Sequence, residues 1–146
     1  MAAMTDYLEN KLIDHIFRGQ SFAAPATLHV ALLTAAPSDT GGGTEVAGGS
    51  YARVAVPGSL ANWAGTQAAA STVASSGNTG TTSNNVAVTF PAPTANWGVV
   101  THFAIYDAAS AGNMLIWGAL STSKTINNGD AAPSFAAGAF SLQLDN

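Results

Sequence analysis

At 146 residues and a formal net charge of −4, the chain is long enough for one domain with its own core. Its four basic residues, Lys11, Arg18, Arg53 and Lys124, form no patch for a phosphate backbone, which argues against nucleic-acid binding. With no cysteine there is no disulfide and no thiolate metal site.

Only 8% of the residues are charged, against roughly 25% in an ordinary soluble domain. The surface must then be Thr, Ser, Asn, Gly and Ala, which desolvates cheaply against a neighbour. That composition suits a subunit of a large assembly or an exported protein better than a free cytosolic enzyme. No apolar run approaches bilayer-spanning length, and no basic region followed by an apolar core opens the chain, so a soluble product without a signal peptide is expected.

Residues 6–18 are predicted to form a short amphipathic helix. Leu8, Leu12, Ile13, Ile16 and Phe17 recur at helical spacing. Asp6 and Glu9 have capping-box spacing, with Thr5 an alternative cap, and Gly19 follows as a C-terminal stop. The apolar stripe is expected to close one end of a sheet core, with docking onto a neighbouring subunit as the alternative.

Strands are expected at 27–34, 51–56 and 86–90, the last with Val86, Val88 and Phe90 on one face. Residues 35–50 and 62–85 read as long loops or arms. The first is Gly-rich but lacks the ending of a phosphate-binding loop. The second is long for an ordinary connection, with a weak strand conceivable at Thr72-Val73. The most structured stretch is 97–120, two apolar runs (99–106 and 114–120) around Ala111-Gly112-Asn113, which predicts a β-hairpin. Alternation puts Val99, Thr101, Phe103 and Ile105 on one face, and Val100, His102, Ala104 and Tyr106 on the other. Further strands are expected at 123–126, 133–136 and 139–144, with Phe140, Leu142 and Leu144 inward. The fold class is therefore mainly β: an antiparallel β-sandwich or a jelly-roll-like compact barrel with one N-terminal helix, as a single domain over residues 1–146.

Convergent chemistry is scarce. His15, His29 and His102 lack metal-ligand spacing, and strand parity separates His102 from Asp107. Asp39, Glu45, Asp107 and Asp130 fall in predicted loops or turns, with nothing to pair them for hydrolysis. No serine sits in a nucleophile elbow. Trp63, Trp97 and Trp117 could stack a sugar, but large aromatics more often anchor cores and interfaces. No catalytic, cofactor-binding or metal-ligating residue is assigned, no cofactor is expected, and the protein reads as no enzyme.

The segments TDYLENKLIDHIFRG, ATLHVALLT, GTEVAGGSYARVAV, VTFPAPTANWGVVTHFAIYDAASAGNMLIWGAL and SKTINNGDAAPSFAAGAFSLQLD together resemble a family of small tailed-bacteriophage virion structural proteins, often labelled phage tail fibre proteins. The resemblance spans the chain apart from 64–85 and carries no catalytic or ligand motif. It implies a virion component assembled in the bacterial host cytoplasm, with other virion proteins (major capsid protein or tail proteins) as partners and self-association into a homo-oligomer. Low charge and Gly- and Ala-rich segments suggest, within that class, a capsid decoration or cement subunit. The alternatives are a tail, tail-fibre or head–tail connector component and, further off, a receptor- or glycan-binding module.

Overall fold

The computed structural model describes residues 2–144. Ten strands and one helix follow in the order β1 (Ala2–Met4), α1 (Asp6–Phe17), β2 (Thr27–Ala35), β3 (Thr44–Glu45), β4 (Val54–Pro57), β5 (Thr81–Ser83), β6 (Val88–Thr89), β7 (Gly98–Tyr106), β8 (Met114–Ile126), β9 (Ser134–Phe135) and β10 (Ser141–Gln143). All pairings are antiparallel. The main sheet runs β1-β8-β7-β2-β3, with β4 also on the outer side of β2. Two ribbons, β5–β10 and β6–β9, form the opposing layer, so the fold is mainly β and sandwich-like.

Burial follows from the pleat, which sends successive side chains of β2 to opposite faces. Val30 and Leu32 enter a large cluster with Phe103, Ile105, Phe90 and Phe140, filling the space between the sheet and the ribbons. Ala31 and Leu33 face the other way, into a smaller cluster with Ala104, Tyr106 and Met114, over which Trp117 lies half-buried. A Cβ on Gly118 would come within 2.9 Å of the Phe103 ring, so only glycine lets β8 approach that ring.

The central hairpin forms as predicted between β7 and β8, but alternation breaks inside it. Val100 joins Phe103 and Ile105 in the large cluster, an odd spacing, while Val99 is exposed. The cause is a register shift: Val100 pairs with Lys124 but His102 pairs with Ala119, so β8 carries extra residues at 120–123. Thr101 and His102 share a hydrogen bond of 2.8 Å between Oγ1 and Nδ1, a contact that neighbours on opposite faces could not make. Across the shift β8 stays continuous, so the strand expected at 123–126 is its far end.

Helix α1 does not close the core. None of its residues is buried; it touches β8 and β1 and leaves Ile13, Ile16 and Phe17 exposed. Its N-cap is Thr5, whose hydroxyl donates to the Met114 carbonyl at 2.6 Å instead of capping the helix. Leu144, expected inward, is exposed, and Val86, expected on one face with the buried Val88 and Phe90, precedes β6 and is exposed too.

Within 35–50, β3 pairs with the end of β2 and Val46 is buried. Within 62–85, Thr72 and Val73 form no strand; the strand lies at Thr81–Ser83. The Gln67 side chain ties the exposed part together, donating to Ser71 Oγ and the Ala74 carbonyl and accepting from the Ser76 amide.

Candidate functional site

The most interconnected polar cluster is one that residue spacing does not announce. Strands β3 and β4 both pair with β2 but leave a gap at Leu32. Tyr51 fills it: its hydroxyl accepts from the Leu32 amide at 3.0 Å and donates to Glu45 Oε1 at 2.9 Å. Arg53 grips the same carboxylate through Nε at 2.8 Å and Nη2 at 2.7 Å, a bidentate pair. Its Nη1 donates to the Ala108 and Ala111 carbonyls at the tip of the β7–β8 hairpin, at 2.8 and 2.9 Å. The guanidinium lies over the Tyr106 ring, 3.5 Å from its centre.

The hydrogen bonds of Glu45, Tyr51 and Arg53 in this cluster all go to the protein itself. With its side chain only 5% exposed, Arg53 presents no charge to a ligand. Burial works against that charge, but the hydrogen bonds and negative charge of Glu45 outweigh it and raise its pKa. What the cluster does is mechanical: it joins the Gly-rich loop, the β4 edge and the hairpin tip to the centre of the sheet.

Burial, chiefly, also pushes the Tyr51 and Tyr106 phenols above their ordinary range, with the Glu45 charge adding to the effect. The unfolded chain therefore loses these protons first. Stability from the pair is intact below about pH 10, the ordinary tyrosine value, and declines as pH rises further. Absorbance at the phenolate wavelength and circular dichroism, followed together in an alkaline titration, should show both phenols ionising only as the fold is lost. Ionisation of all three tyrosines ahead of unfolding would contradict this.

The other polar candidates are dispersed. Asp107 caps its own hairpin, accepting from the amide and the side chain of Asn113 at 2.7 and 2.8 Å. Asp130 accepts from the Asn127 amide, and the Asp39 carbonyl receives the Asp6 amide at the start of α1. His102 is engaged by Thr101; His15 Nδ1 lies within reach of both the Gln20 carbonyl and the Phe22 amide and can serve only one of them in a given tautomer; among the described residues the Nδ1 of His29 is buried without a partner. Among the described residues no group of three or more His, Asp and Glu could hold a metal ion. The three tryptophans form no platform: Trp97 is buried, donating to the Gly49 carbonyl at 3.0 Å, Trp63 packs at the edge of its cluster, and Trp117 lies on the opposite face.

Two surface hollows have the dimensions of a binding groove, one of about 340 Å³ between Gln67 and Thr82 and one floored by large apolar side chains. The register shift in β8 opens a cleft of about 390 Å³ between the sheet and the ribbons, floored by Val100, Phe103 and Phe140 and edged by Leu120 and Phe135. Among the described residues Lys124 is its one charged lining residue.

The fold is thus a mainly β sandwich whose central polar cluster serves its own joints, with apolar side chains exposed on its helix and an apolar-floored cleft. The chain belongs to the family described as Podophage GP4 fiber I protein gp80, whose model matches residues 3–143. It is thus a phage virion structural protein of the fibre kind. No curated protein matches it.

Proposed function

We propose that this protein is a non-enzymatic subunit of a phage tail fibre, built into the fibre or its attachment by contacts with other virion proteins and with copies of itself. The observation that carries the reading is the match to a fibre-protein family over residues 3–143. The low charge and the exposed apolar residues of α1 agree with a life spent in contact. Composition pointed first to capsid decoration, but composition serves any repeated subunit equally, and the family description favours the fibre.

Copy number separates the two. Quantitative mass spectrometry of purified virions is expected to give a low count matched to the appendages. A count comparable with that of the major capsid protein would overturn the fibre reading and restore the decoration role.

A further inference from the structure

Two apolar surfaces lack a partner among the described residues. The first is the outer side of α1, where Ile13, Ile16 and Phe17 are 50%, 65% and 78% exposed. Together they present about 400 Å² of apolar area, which is in the range of functional patches on monomers. The second is the cleft beside β8, whose 390 Å³ would take roughly two large side chains.

We propose that α1 of one copy docks in the β8 cleft of a second copy, head to tail. Charge argues for this pairing. Glu9 sits one helical turn before Ile13 on the same stripe, so a helix laid along the cleft carries a carboxylate with its apolar side chains. Among the described residues the one charged residue lining the cleft is Lys124. Among the described residues neither Glu9 nor Lys124 has an ion-pair partner within the chain.

The obvious rival is two helices packed symmetrically on each other, a contact of about 800 Å² in total, the size of a crystal-packing contact and half that of a standard interface. In the cleft the helix would meet the apolar rim at Leu120 and Phe135, and the charge pairing, not area, favours this arrangement. Each subunit is then donor on one side and acceptor on the other, and such a contact closes as a ring or continues along an axis. The inference concerns the purified chain alone, so it stands or falls independently of where the protein sits in the virion.

The absence of native cysteine makes the test clean. Ile13→Cys protein and size-tagged Leu120→Cys protein, mixed and mildly oxidised, should give a mixed cross-linked dimer on a non-reducing gel. Sedimentation velocity at low ionic strength should show Glu9→Lys and Lys124→Glu each weakening self-association about tenfold, with the double reversal restoring it. All four positions lie on the surface or the cleft rim, and unchanged circular dichroism confirms folding. Ile13→Cys cross-linking mainly to itself would overturn the proposal in favour of symmetric helix pairing. A monomeric wild-type chain at every concentration, or charge reversals without effect, would equally overturn it.

Discussion

Replacing Arg53 by alanine is expected to cost about 4 kcal/mol of stability, the scale for breaking a buried ion pair by removing one partner. The loss is large because one side chain serves three segments. Glu45 keeps its charge in a half-buried place without its bidentate partner, the Ala108 and Ala111 carbonyls lose their donor, and the Tyr106 ring loses its cover. Arg53→Lys should recover only part of this, since one ammonium cannot reproduce the planar fork that reaches both the carboxylate and the hairpin tip. A double variant, Arg53→Met with Glu45→Gln, should unfold at higher denaturant than Arg53→Ala because it leaves no uncompensated charge. Urea denaturation of the four proteins checks the order. An unchanged midpoint for Arg53→Ala would mean that the three segments are held by packing alone.

The second large effect belongs to Asn84, which is 1% exposed at the centre of the ribbon layer. Its Nδ2 donates to the Val86 and Ala136 carbonyls at 2.8 and 2.9 Å, and its Oδ1 accepts from the Phe140 amide at 2.9 Å. One side chain thereby fastens the end of β5 to the link between β9 and β10. Asn84→Ala leaves the buried Phe140 amide without its acceptor and takes the donor from two part-buried carbonyls, and a loss of about 3 kcal/mol is expected. The damage should be local first. Amide exchange at Phe140 and along β10 is expected to accelerate far more than exchange in β2 and β7, which the main sheet protects. Uniform acceleration across both layers would show that the ribbons and the sheet unfold as one unit.

Strand content, the antiparallel hairpin and the helix were legible in the sequence because each rests on local periodicity. Alternation in 27–34 marks β2 correctly, since β2 pairs without a shift through its centre. The same rule fails at Val100 because the shift arises on the partner strand, where 120–123 are inserted, and alternation within β7 carries no trace of it. The helix stripe was read correctly as apolar, but which side of a stripe meets the body is a tertiary fact. Leu8 and Leu12 are half-buried, while Ile13, Ile16 and Phe17 turn outward.

Polar joints were the least legible part. Glu45, Tyr51 and Arg53 sit in a Gly-rich loop and at a strand start, and they meet Tyr106, over fifty residues away, only once the sheet has formed. A signal did exist: Arg53 is one of four basic residues and lies in the otherwise apolar YARVAV. In so weakly charged a chain, a cation in an apolar strand marks a buried partner. Asn84 gave no such sign, standing in a run of Ser, Thr, Gly and Asn typical of exposed loops.

The central claim, that this sandwich is a fibre subunit, is tested most directly by a density map of the intact virion into which the domain is fitted. The fibre reading predicts that density for the sandwich and its N-terminal helix lies in the tail appendages. Finding the domain seated on the capsid shell, and absent from the tail, would contradict it.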